Sequence, residues 1–207
     1  MVKKIVGTGV LLVLALALQA GVKMYTLKSP DGKVKLEVTA GQGIAYSLFY
    51  DGRLLLKPSR IALHTDLPEA DHWENIRITG TKQRHVSETV QAPFYRVKEF
   101  GIDCNELELR LNNGFSLLMR AYNDGMAYRF VAGRKGEMTV VEERAEFNFA
   151  DDFEAYIPYS TNPKDPWNMA FQNFYTKAPL TQYNTELPAF LPLTVDAGAV
   201  KLTLLES

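Results

Sequence analysis

The sequence predicts an all-β, antiparallel sandwich. Three observations predict it. Short stretches alternate apolar and polar residues at strand length, Gly-containing turns separate them, and no window after residue 20 shows apolar spacing of three and four residues with caps at both ends. Many short strands joined by Gly-rich turns build a sandwich or a barrel.

Taken in order, Val34-Lys35-Leu36-Glu37-Val38 alternates as a half-buried strand does. Ile44 to Tyr50 is a second strand, and Asp51-Gly52 turns it into Arg53-Leu54-Leu55-Leu56. Asp-Gly suits a primed hairpin turn, which needs positive φ at both central residues. Pro58 is expected to stop that strand, because proline has no N–H for a ladder. Leu107 to Leu111 alternates again, Asn112-Asn113-Gly114 turns it into Phe115 to Tyr122, and Asn123-Asp124-Gly125 turns that into Met126 to Val131. These three read as a meander. Val140 to Phe149 is a further strand, and Val200 to Leu205 closes the series. Two segments break the rhythm. Asp66 to Val90 is polar and carries His72 and His85, with His64 just before it. Asp151 to Pro188 is rich in proline and aromatic residues. Loops longer than about 12–15 residues in a compact domain are usually functional or disordered, and the second segment is too aromatic to suit disorder.

The first residues have the layout of a secretory signal: Lys3 and Lys4, an apolar run from Val10 to Leu18, and small residues at Ala15, Ala17 and Ala20. The run is much shorter than the roughly 20 apolar residues of a spanning helix. No Cys follows it to take a lipid. The expected organisation is a signal peptide at 1–20 and one sandwich domain over 21–207. The expected location is the periplasm or the medium, with no stable membrane anchor after cleavage. The last strand runs almost to Ser207 without a turn or polar tail, so a sandwich incomplete at its C-terminus is expected. The formal net charge of −1 argues against a nucleic-acid binder, which would carry a basic patch or stripe. The single cysteine, Cys104, cannot form an internal disulfide and excludes a multi-cysteine zinc site; it reads as a small buried side chain.

A complete active site is not expected. The sequence has no His-Glu-x-x-His, no Gly-x-Ser-x-Gly and no phosphate or dinucleotide loop. His72, beside Trp73 and Glu74, reads as a surface or packed histidine. Glu142-Glu143 and Asp151-Asp152 are adjacent, and neighbours on a strand point to opposite faces. Glycoside hydrolysis needs two carboxyls facing one bond, and nothing in the spacing supplies them. Two readings stand for Trp167, Phe171, Phe174 and Tyr175: a platform for a sugar ring, or core and interface to another domain. Large aromatic surfaces serve both.

Several ordered segments resemble a known family. They are Ser29-Pro30-Asp31-Gly32-Lys33, then Tyr46 to Gly52, then the stretch Leu118-Met119-Arg120-Ala121-Tyr122-Asn123-Asp124-Gly125-Met126-Ala127-Tyr128-Arg129-Phe130, then Glu142-Glu143 with Phe147 and Tyr156-Ile157-Pro158. From about Tyr25 onward the chain resembles the N-terminal domain of glycoside hydrolase family 97. The resemblance implies a galactose-mutarotase-like super-sandwich ahead of a (β/α)8 catalytic barrel, in an exported α-glucosidase or α-galactosidase that uses calcium. It implies that the catalytic carboxylates lie on the barrel, so this chain is expected to be inactive alone. It would support the barrel and line one side of the pocket with Trp167, Phe171 and Tyr175. In the family a Glu-x-x-Tyr segment helps bind calcium. Here the glutamate position falls on Gln172, with Tyr175 as the tyrosine, and a register shifted by one places Asn173 there. A glutamine carbonyl can ligate calcium but brings one negative charge fewer. The alternative is a stand-alone carbohydrate-binding sandwich.

Overall fold

The computed structural model describes residues 23–133, 135–160, 162, 164–165 and 173–206. Within them the chain forms thirteen strands and one short 3-10 turn at Leu180–Gln182. All strand pairings are antiparallel. A five-stranded sheet has the order β1 (Lys23–Lys28), β2 (Val34–Gly41), β3 (Gly43–Tyr50), β4 (Arg53–Thr65), β9 (Val140–Ala145). A four-stranded meander holds β5 (Ile78–Gln91), β6 (Glu99–Leu111), β7 (Phe115–Tyr122) and β8 (Gly125–Ala132). A smaller sheet has the order β11 (Thr176–Pro179), β10 (Glu154–Ile157), β12 (Leu193–Asp196), β13 (Lys201–Leu204).

Alternation decides which face each sheet buries. In β2, Val34, Leu36, Val38 and Ala40 are buried; in β7, Phe115, Leu117, Met119 and Ala121 are. The two strands face each other, and their apolar sets meet in one core. Each Val, Leu, Phe or Met among them contributes about 1.5–3 kcal/mol over leaving it in water. Trp73 fills the end of this core. Its ring lies edge-on to Phe130 at 5.3 Å, and its indole N–H donates to the Leu63 carbonyl at 3.0 Å. The third sheet joins the same core through Phe153, Ala155, Ile157 and Val195. It is tied to the first because the chain after β9 runs on beside β4: Lys57 N–H donates to the Asn148 carbonyl, and Ala150 N–H to that of Leu55.

The hairpin turns match expectation. Asp51 and Gly52 have φ of 49° and 79°, the geometry of a primed turn. Elsewhere the fold corrects the sequence reading. Pro58 does not stop its strand, since β4 continues to Thr65. The β3–β4 register shifts between Leu48 and Tyr46, and Pro58 sits in that irregularity, where no ladder N–H is needed. Asn148 holds it from the other side, its side-chain amide donating to the Pro58 carbonyl at 2.8 Å. The polar segment Asp66 to Val90 is half strand. Almost every residue of β5 is exposed, so the alternation that marks a half-buried strand is missing. Val140 to Phe149 is strand only to Ala145, with a single bridge from Phe149 to Leu56 beyond it. Asp151 to Pro188 contains the short strands β10 and β11.

Candidate functional site

The aromatic segment begins at the end of β10, which lies between β11 and β12 in the third sheet. Pro158 follows β10, and Tyr159 then makes one bridge to Ala189. Ser160 N–H donates to the Pro188 carbonyl at 2.8 Å, and Phe190 N–H to that of Pro158 at 2.9 Å, pinning the two limbs of the loop together. Tyr159 and Tyr183 pack with ring centres 5.4 Å apart. The Tyr159 hydroxyl accepts Asn184 N–H at 2.7 Å, and its carbonyl accepts the Asn173 side-chain amide at 3.1 Å. Asp152 secures the start of the 3-10 turn, accepting both the N–H and the hydroxyl of Thr181. Just beyond this anchored base, Phe174 is 94% exposed and Tyr175 46% exposed.

Of the residues expected at a site, Tyr175 therefore lies on the surface immediately before β11, with Asn173 and Phe174 before it. Trp167, Phe171 and Gln172 lie outside the described residues. What the described part supplies is an aromatic edge on a rigid base.

The other candidates resolve into structure. His64 pairs with Asp71 at 2.8 Å, His85 with Asp103 at 3.1 Å, and His72 is exposed. Glu143 accepts the Tyr128 hydroxyl at 3.1 Å. Cys104 is fully buried on β6, and burial pushes its thiol up. Among the described residues, no three His, Cys, Asp or Glu side chains gather where they would hold a metal ion. Calcium takes six to eight oxygens, and of the two expected ligand positions only Asn173 is described, its side-chain amide donating to the Tyr159 carbonyl.

One charged cluster escaped the sequence reading. Glu106, only 4% exposed, lies on the outer face of the meander between Arg84 and Arg120. The Arg84 Nε is 2.7 Å from one carboxylate oxygen and the Arg120 Nε 2.8 Å from the other. No signal within β6 gives this away, since both partners come from neighbouring strands. The cluster also explains much of the family-like hairpin. Arg120 neutralises Glu106, Asn123 accepts the Asp31 N–H at 3.0 Å and so ties the two motif turns together, and Tyr128 packs on Tyr46 at 6.1 Å. These motif residues hold the sandwich.

The described residues thus define a protein of antiparallel β-sandwich architecture with an aromatic edge. The chain belongs to the Glycosyl-hydrolase 97 N-terminal family, whose match covers residues 27–207. It is 40% identical over 199 residues to a retaining alpha-galactosidase of Bacteroides thetaiotaomicron, a match spanning 93% of this chain and 30% of that protein. It is 26% identical over 158 residues to a probable retaining alpha-galactosidase of Streptomyces bingchenggensis, spanning 74% of this chain and 24% of that protein. The chain thus spans under a third of the length of these curated relatives. Two solved structures share the fold. A beta-arabinopyranosidase superposes with a TM-score of 0.70 at 22% identity, covering 83% of this chain and 29% of that one. A glycoside hydrolase family 97 enzyme of a Pseudoalteromonas species, in complex with panose, does so with a TM-score of 0.65 at 19% identity, covering 83% and 26%. The sandwich expected from the sequence is therefore the observed fold.

Proposed function

We propose that this chain is the non-catalytic sandwich of an exported α-glycosidase that acts on α-galactosides. It supports a (β/α)8 catalytic barrel and lines one side of its pocket. One observation carries the reading: the match to the retaining alpha-galactosidase takes in 93% of this chain but only 30% of that relative. A part of that size is a domain of the enzyme, and the rest of the relative is long enough for a separate catalytic domain. The exposed Phe174 and Tyr175, on a base pinned by Tyr159 and Ser160, support a role at an interface or a sugar. Aromatic faces give large contact area at low entropy cost.

In this reading Trp167, Phe171 and Tyr175 form the pocket-facing edge. Gln172 offers a carbonyl oxygen to a calcium ion whose remaining ligands come from the barrel. Residues 1–20 direct export and are removed.

The test is calorimetric titration of the chain with galactose, an α-galactoside and maltose. The proposal predicts flat heats, because one wall of a pocket does not hold a sugar without the other. Saturable heats that disappear in Trp167→Ala contradict it and support a stand-alone carbohydrate-binding module.

A further inference from the structure

We infer that two copies of this chain pair through their β5 edges. The strands run antiparallel about a two-fold axis at Val86, so that two four-stranded sheets become one of eight. Ile78–Gln91 is fourteen residues long and the outermost strand of its sheet. A long edge of unpaired N–H and C=O groups is a template for another strand, and proteins normally blunt it with proline, a bulge, a cover or charged side chains that repel an incoming strand. β5 has no proline, and its one register shift lies at its start, between Ile78 and Gly80.

The charges on β5 favour self-pairing. Lys82, Arg84 and Glu88 share the outer face of the sheet, on the same side as their cross-strand partners Glu108, Glu106 and Ile102. Residues with an even sum pair across a two-fold axis, which keeps each face in phase. With the axis at Val86, Arg84 of one copy stands opposite Glu88 of the other, and the symmetry makes this contact twice. Opposite charges directly across a ladder stabilise it, and like charges destabilise it. On the inner face the same register sets Gln83 opposite Thr89 and His85 opposite Ser87, polar pairs on a wet face, and on the outer face it sets the buried Val86 opposite its own copy. Arg84 spends its Nε on Glu106 and still leaves its side chain 52% exposed. An axis at His85 would set Lys82 against Glu88, but it places two His85 rings opposite each other. The pairing is independent of any sugar binding.

The hairpin beyond this strand is a separate surface. Phe94 is 98% exposed and Tyr95 69% exposed at its tip. The proposed ladder runs from Thr81 to Gln91 and does not include them.

Sedimentation velocity of the purified chain over a concentration series tests the pairing. The expected result is a monomer–dimer equilibrium. Glu88→Arg, which places two cations opposite each other, raises the dimer dissociation constant at least about tenfold, as like-charge juxtaposition does at interfaces. At a concentration where the parent is monomeric, its circular dichroism and melting temperature should match those of the parent, which shows that the fold is kept. The tip variant Phe94→Ser should dimerise as the parent does. A parent that stays monomeric overturns the inference. So does a Glu88→Arg variant that is folded and dimerises unchanged, or a dimer lost only in Phe94→Ser.

Discussion

Glu106 is clamped between Arg84 and Arg120, one guanidinium Nε on each carboxylate oxygen at 2.7 and 2.8 Å. Burial pushes this carboxyl up, but the hydrogen bonds and charges of the two arginines outweigh it and hold it below the usual range. A carboxylate whose folded value is lowered contributes stability above its unfolded value, near 4.3. That contribution is lost as pH falls through the lower folded value.

Glu106→Ala should therefore destabilise the domain at neutral pH by about 3 kcal/mol, because it leaves two positive charges beside each other without their partner. Urea unfolding at pH 7 measures this. Repeating it near pH 3 should show a smaller gap between variant and parent, since the parent is then losing the same interaction. A gap that stays constant across this range would separate Glu106 from the acid response.

Cys104 tests the core from another direction. It lies cross-strand from Val86 and Tyr122, fully buried, with its thiol pushed up by burial. Thiol reagents attack the thiolate. The native chain should leave a colorimetric thiol reagent unreacted over minutes at pH 7.5, and the denatured chain should titrate one thiol. Rapid native reaction would place Cys104 at the surface.

The Asp51-Gly52 turn supplies a local prediction. Gly52 has φ of 79°, and no atom lies within 4 Å of where a Cβ would stand. Gly52→Ala therefore meets only the backbone penalty, about 1–2 kcal/mol. A matching loss in the midpoint of denaturant unfolding, with the slope unchanged, is the expected result. A variant as stable as the parent would mean that the turn tolerates a side chain at that φ.

The sequence revealed those parts of the fold that one strand can announce alone. β7 and the end of β6 bury one face and expose the other, so their alternation is visible, and the Asp-Gly and Asn-Asn-Gly turns need glycine at positive φ, as Gly52 and Gly114 show. What the sequence concealed depends on neighbours. β5 is wet on both faces and carries no period. Pro58 looked like a stop because the β3–β4 irregularity that accommodates it is a property of two strands. Nothing in the sequence around Glu106 marks it out, because its partners lie 22 and 14 residues away. At the candidate site, Tyr175 lies on the surface and Phe174 is more exposed still. Their aromatic character was plain in the sequence; the pinning of the loop base by Tyr159, Ser160 and Asp152 was not, because it is made by bonds to residues up to 29 positions away.

Hydrolysis by the isolated chain measures the central claim most directly. Purified chain incubated with p-nitrophenyl α-galactopyranoside and α-glucopyranoside, with and without calcium, should release no p-nitrophenol above a blank. Turnover that rises with protein concentration, and is abolished by a substitution within this chain, would contradict a non-catalytic sandwich.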